Sequence, residues 1–196
     1  RKKMLSYEES LKILKETKAL LEGHFILSSG LHSPSYVQCA QLLSKPSKAF
    51  QICNSLAEKI KNNLDGFDLI LSPAIGGIVI GYEIGRILKK ETIFSERVNG
   101  KFQLRRDFTI NKHNKVLIVE DVITTGKSSL ECSELAKKTG AKIVGYACII
   151  DRSNNKSLIK DKIISQIELS IPTYSEKDLP ETLSKIQAIK PGSRNL

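Results

Sequence analysis

The chain has no tryptophan, one methionine and three histidines, and aromatic residues fill only 6% of its 196 positions. Surfaces that stack on nucleic-acid bases interleave aromatic with basic side chains, and no such alternation occurs here. His24, His32 and His113 form no i, i+4 pair, and the four cysteines, Cys39, Cys53, Cys132 and Cys148, include no CxxC spacing. No dedicated metal cage is therefore expected. Cysteines this scattered, with Cys53, Cys132 and Cys148 among apolar neighbours, read as reduced thiols that pack as small hydrophobes. No apolar run reaches the ~18 residues of a membrane span, and the opening RKKMLSYEES lacks the apolar centre of a secretory leader. The expectation is a cytoplasmic protein with no membrane partner. Because Met4 stands just behind Arg1, the first residues read as a trimmed or alternative start. Internal repeats and low-complexity segments are absent.

What is present is a globular composition, 40% hydrophobic and 27% charged, at a length that suits one domain with a sizeable core. The formal charge of +10 would suit nucleic acid or an anionic substrate. The lysines, however, are spread along the chain without a block of five or six. A solvated basic surface is expected, and no nucleic-acid partner. An RNA-binding regulator would need a concentrated basic face.

Apolar spacing predicts an amphipathic helix over 6–22, capped by Ser6, and a second over about 46–64, where Pro46 and Ser47 precede Phe50, Cys53, Leu56, Ala57, Ile60 and Leu64. The stretch between them, GHFILSSGLHSPSYVQCA, reads as strands and turns. From Phe67 onward, strand-like FDLILSPA, helical IGGIVIGYEIGRILKK and strand-like ETIFSERV alternate. That alternation predicts an α/β fold with a mainly parallel sheet. Asn99-Gly100 between ETIFSERV and KFQLRRDFTI predicts a hairpin. VLIV over 116–119, a helix through LECSELAKK ending at Gly140, KIVGYACII and a strand around IELSI continue the pattern. A short helix from Asp178 and an irregular KPGSRNL end complete it.

In open α/β sheets ligands bind beyond the carboxyl ends of the strands, which directs attention to VLIVEDVITTGKSS. Glu120 and Asp121 follow the apolar run, and Thr124, Thr125, Gly126, Lys127 and Ser128 lead into the next helix, with Ser128 and Glu131 spaced as a capping box. Free N–H groups at a helix start favour a phosphate, hydroxyls add donors, and glycine lets the backbone wrap the anion. The acids repel that phosphate. They suit a neighbouring diol, or a hydrated Mg²⁺. A phosphate beside a diol describes ribose 5-phosphate. A Walker A loop is excluded, because the glycine it needs five residues before Gly126 is Asp121.

VLIVEDVITTGKS resembles the phosphoribosyl pyrophosphate (PRPP) signature of type I phosphoribosyltransferases. The wider chain is similar to the orotate phosphoribosyltransferases: GHFILSSGLHSPSY resembles their N-terminal hood, SPAIGGIVIG their pyrophosphate loop and CIIDR their orotate-contacting strand end. The resemblance implies a single domain over 1–196, with a mainly parallel sheet flanked by helices. Its core would run over about 46–165, with a small hood over about 1–45 joined by a C-terminal segment, and a flexible hairpin loop. It implies transfer of the phosphoribosyl group from PRPP to orotate, with Mg²⁺, giving orotidine 5′-monophosphate and pyrophosphate in pyrimidine synthesis. It also implies a homodimer whose catalytic loop is shared between subunits.

By the same resemblance Glu120 and Asp121 hold the ribose diol, Thr124 to Ser128, with Thr125, Gly126 and Lys127 between, hold the 5′-phosphate, and Val122, Ile123 and Arg97 also bind PRPP. Ala74, Ile75 and Gly76 face the pyrophosphate. Thr124, Arg152, Tyr36 and Val37 contact orotate, and Arg97 matches the first basic residue of the catalytic loop, with Lys101, Arg105 and Arg106 as further candidates. Two lysines common in relatives are missing: Ser28 stands at the hood position and Gly76 at the pyrophosphate-loop position. A phosphoribosyltransferase for another base shares every PRPP feature, so orotate rests on the hood and Arg152.

Overall fold

The computed structural model describes residues 4–192; the Arg1 start and the last four residues of KPGSRNL lie outside them. The first helix, α1 (Tyr7–Glu16), opens with a full capping box. The Ser6 hydroxyl accepts from the Glu9 N–H at 3.1 Å, and the Glu9 carboxylate accepts from the Ser6 N–H at 2.8 Å. The helix is shorter than its apolar spacing implies. The Thr17 hydroxyl donates to the Ile13 carbonyl, and Lys18 takes a left-handed φ of 62°, so the chain leaves the helix. Leu20 and Leu21 begin β1 (Leu20–Ile26) instead.

Strand β1 pairs antiparallel with β2 (His32–Val37) in a separate two-stranded sheet, with Leu20 opposite Val37. The C-terminal segment closes this hood. Ile189 exchanges backbone hydrogen bonds with β1, Tyr174 exchanges two with His32, and the buried His24 and His32 rings meet at 2.6 Å.

A short α2 (Ala40–Leu43) leads to α3 (Pro46–Asn63), which has proline at its first turn. Ala49, Ile52, Cys53, Leu56, Ala57 and Ile60 form its buried face. Phe50, expected on that face, lies at the surface with the Arg86 guanidinium 5.7 Å above its ring. There follow β3 (Leu69–Pro73), α4 (Gly76–Leu88), β4 (Glu91–Val98), β5 (Lys101–Leu104), β6 (Lys115–Ile123), α5 (Lys127–Lys137), β7 (Lys142–Asp151) and β8 (Ile163–Glu168). The hairpin at Asn99-Gly100 forms as expected: both residues take positive φ, 50° and 78°, as a two-residue hairpin turn requires. At the end of the chain, a 3₁₀ turn over Glu176–Asp178 precedes α6 (Glu181–Ser184), where one helix starting at Asp178 is the sequence expectation.

The main sheet has the order β5-β4-β3-β6-β7-β8 and is parallel except at the β4–β5 hairpin. Both of its faces are covered, which is why VLIV is apolar throughout. Leu117 and Val119 pack with α3 and with Ile80 and Ile84 of α4, whereas Val116 and Ile118 pack with Cys132 and Ala136 of α5. After β3 the chain crosses to β4 on one side, and after β6 it crosses to β7 on the other. The sheet therefore opens a crevice between β3 and β6 at their carboxyl ends.

Candidate active site

Alternation along β6 extends beyond the apolar run, since the strand continues to Ile123. Successive side chains point to opposite faces, so the two acids part. Glu120 follows Val116 and Ile118 to the α5 face, where the Ser129 hydroxyl donates to its carboxylate at 2.6 Å. Asp121 follows Leu117 and Val119 to the α4 face, where its carboxylate occupies the space beside Gly76. A Cβ on Gly76 would lie 2.9 Å from an Asp121 oxygen. Gly76 and Asp121, from α4 and β6, thus come together with no room for a side chain at position 76. Ala74 is tied to β4 through its N–H and the Ser95 carbonyl at 2.8 Å, and Ile75 is 86% exposed.

Burial shapes both acids. It is the largest influence on Glu120, raising its pKa from the ordinary 4.5 to about 7; the nearby Asp121 adds to the rise, while the Ser129 hydroxyl and Arg97 oppose it. Asp121 is raised as well, again by burial first, with the Val122 N–H and its own N–H opposing. A carboxyl raised in the folded state favours folding fully below its unfolded value, and that advantage is lost as pH rises through its folded value. For Glu120 the window runs from about 4.5 to about 7. Urea unfolding at pH 5 and pH 8 should show wild-type stability falling by up to about 3 kcal/mol from this group. Glu120→Gln should flatten that slope. An equally steep slope in the variant would remove Glu120 as its source.

Beyond β6, the N–H groups of Thr124, Thr125 and Gly126 have no partner among the described residues, so they are free to meet an anion. Thr124, Thr125 and Lys127 are exposed. Gly126 is itself the residue preceding α5, at a φ of 81°, and no side chain caps the helix. The spacing of Ser128 and Glu131 is thus not a capping box. Glu131 instead pairs with Arg97 at 2.8 Å. Arg97 also donates to the Gly100 carbonyl at 2.8 Å and stacks 4.1 Å over Phe102, so it joins the hairpin to α5 beside Glu120. Lys101 is exposed on the same hairpin. Arg105 and Arg106 turn away to Glu96, Arg106 through two bonds at 2.9 and 3.0 Å.

Arg152 follows β7 directly, and its N–H donates to the Ile123 carbonyl at 2.9 Å. Its guanidinium is partly buried, which lowers its pKa, and no carboxylate among the described residues pairs with it. From the hood, Tyr36 and Val37 end β2 just before Cys39. The Cys39 thiol is raised by burial and then by the Asp121 carboxylate, which puts this end of the hood near the β6 acids. Tyr36 itself packs against Phe25, with ring centres 5.8 Å apart.

The Phosphoribosyl transferase domain model matches residues 40–176. A protein of Parvibaculum lavamentivorans named "Orotate phosphoribosyltransferase" is 47% identical over 98% of this chain and 100% of its own length. The chain belongs to the orotate phosphoribosyltransferase family. The crystal structure of orotate phosphoribosyltransferase from Aeropyrum pernix superposes with a TM-score of 0.70 at 25% identity, over 81% of this chain and 92% of that one. An adenine phosphoribosyltransferase from Thermoanaerobacter pseudethanolicus shares the fold with a TM-score of 0.58 at 18% identity, over 69% of this chain and 88% of that one. In this phosphoribosyltransferase fold, then, the scaffold does not choose the base. The local pattern marks β6 and its loop but not Ser129 or the residues 157–159 that back the loop, and it assigns Glu131 to Ser128 where Arg97 holds it. Ser129 carries no local signal, because its partner is fixed by strand alternation meeting the first turn of α5.

Proposed function

We infer that this chain is a single phosphoribosyltransferase domain that transfers the 5-phosphoribosyl group of PRPP to orotate, releasing pyrophosphate and forming orotidine 5′-monophosphate. The observation that carries the choice of base is Arg152, a partly buried cation without a carboxylate partner among the described residues, fixed by its backbone to Ile123. A guanidinium so placed suits an anionic pyrimidine carboxylate in bidentate geometry. Thr124 contributes its hydroxyl beside it, and Tyr36 and Val37 cover the ring. Thr124 to Ser128 receive the 5′-phosphate, Glu120 and Asp121 the ribose hydroxyls, and Ala74 to Gly76 the pyrophosphate.

The orotate N1 forms the bond to C1′ and gives up its proton to solvent, while the C1′–O bond to pyrophosphate breaks and its electron pair leaves on the pyrophosphate oxygen. The protein aligns the two reactants, stabilises charge and excludes water. Arg97 is close enough to Glu120 to oppose the rise in its pKa, with Lys101 beyond it on the hairpin.

Among the described residues no group of three or more potential ligands assembles. Mg²⁺ would thus be carried by the oxygens of PRPP, with the hard carboxylates of Glu120 and Asp121 able to hold its hydration shell. When bound it neutralises charge on the departing pyrophosphate. A homodimer sharing the hairpin is supported by the exposed apolar row Ile75, Val79 and Tyr82, spaced along one face of α4 beside the pyrophosphate loop. We place the enzyme in the cytoplasm, where its buried free cysteines would stay reduced; no helix among the described residues is long and apolar enough to cross a membrane.

The test is PRPP-dependent consumption of a panel of bases with Mg²⁺ present. Orotate should be consumed with equal release of pyrophosphate. Arg152→Ala should raise the KM for orotate by roughly 10- to 100-fold, the worth of hydrogen bonds to a charged group, with little change for PRPP. Use of guanine, adenine or uracil in preference to orotate would sink the assignment.

A further inference from the structure

The residue proposed to read the base and the loop proposed to hold the phosphate belong to different strands, yet backbone hydrogen bonds join them. The Arg152 N–H donates to the Ile123 carbonyl at 2.9 Å, and the Leu158 N–H donates to the Thr125 carbonyl at 2.8 Å. Because a trans peptide is planar, its C=O and the following N–H point in opposite directions. A donor that holds the Ile123 carbonyl therefore aims the Thr124 N–H, and one that holds the Thr125 carbonyl aims the Gly126 N–H. These are two of the N–H groups free to receive an anion.

Side chains reinforce the same contact. The Ser157 hydroxyl lies 3.4 Å from the Thr125 carbonyl and accepts from the Ile159 N–H at 3.0 Å. Gly126 is pressed against Ser157 and Ile159, so that a Cβ there would lie 2.6 Å from the Ser157 hydroxyl oxygen. The β7–β8 segment also borders a polar cavity of about 320 Å³ lined by Ser153, Asn155, Ser157, Asp161, Lys162 and Glu168, among others.

We propose that the β7–β8 segment, through the Leu158 N–H and Ser157, is a positioning element that couples the phosphate subsite to the base subsite at Arg152. Filling the phosphate loop fixes the Thr125 peptide, the Thr125 carbonyl fixes the segment, and the segment holds Arg152 in place for its ligand. The proposal rests on the reading of Arg152 as the contact to the base carboxylate. By linkage, the base must tighten phosphate binding by the same factor.

Equilibrium dialysis of orotate, with and without ribose 5-phosphate as an unreactive probe, tests this on the full chain. In the wild type, ribose 5-phosphate should tighten orotate binding about tenfold, within the usual range of coupling between sites. Leu158→Ala keeps the N–H and removes only an exposed side chain, and should match the wild type. Leu158→Pro removes the donor and should bring the ratio near one. Should the proline variant fail to fold, Ser157→Ala serves, with the ratio expected to fall at least threefold. An unchanged ratio in the folded proline variant, or failing that in Ser157→Ala, overturns the coupling, as does a wild-type ratio of one. If ribose 5-phosphate binds but orotate does not, even with it present, the base assignment fails as well, a result distinct from intact orotate binding without coupling.

Discussion

Asp121→Asn should lower kcat/KM by roughly 10²- to 10³-fold, the usual loss when one charge-stabilising group is removed from an active site, while the fold remains intact. The fold is expected to survive because the side-chain oxygen of asparagine can still accept from the Val122 N–H, the bond Asp121 makes at 2.8 Å. Removing the charge also relieves the burial that raises the Asp121 pKa, so stability at pH 8 should be equal or higher. Activity is expected to suffer because the Asp121 carboxylate sits against Gly76, where the proposed ribose and pyrophosphate subsites meet, and no other acid on that face of β6 can replace it. Single-turnover kinetics together with urea unfolding would separate the two effects. Near-normal turnover in a stable variant would remove Asp121 from the site.

Gly126→Ala should damage PRPP use and stability together. At a φ of 81° a residue with a Cβ is strained by about 1–2 kcal/mol. The new Cβ would also lie 2.6 Å from the Ser157 hydroxyl oxygen and 2.9 Å from Ile159 Cγ1. Ser157 can rotate, whereas Ile159 is buried among Cys132, Ala136 and Tyr146 and cannot yield without moving the segment. The expected outcome is a total stability loss of about 2–3 kcal/mol and a PRPP KM raised at least about tenfold, since each 1.4 kcal/mol of lost binding is tenfold. A denaturation midpoint and a PRPP KM both matching the wild type would show that the loop does not depend on this contact.

Much of the molecule is legible along the chain where local chemistry decides. The hairpin at Asn99-Gly100 formed because both positions need positive φ and these residues tolerate it. Pro46 marked the first turn of α3, and Ser6 and Glu9 marked that of α1. Local signals failed where a distant partner decided. Leu20 and Leu21 fit a helical period as well as a strand period, and pairing with Tyr36 and Val37 chose the strand. Ser128 and Glu131 fit a capping box, but Arg97, thirty or so positions earlier and brought in by the hairpin, took Glu131. Phe50 fits a buried face by spacing, yet Arg86 of α4 meets it at the surface.

By itself the sequence determined the order of strands and helices, the acids at the end of an apolar strand and the Thr-Thr-Gly turn that follows, because each depends on residues close together in the chain. The tertiary structure alone decided that Glu120 and Asp121 face opposite sides of the sheet, that Asp121 rests on Gly76, and that residues 157–159 hold the 124–126 loop from behind. Those contacts arise where a crossover to one side of the sheet meets a crossover to the other, and chain-local patterns carry no record of which strands become neighbours.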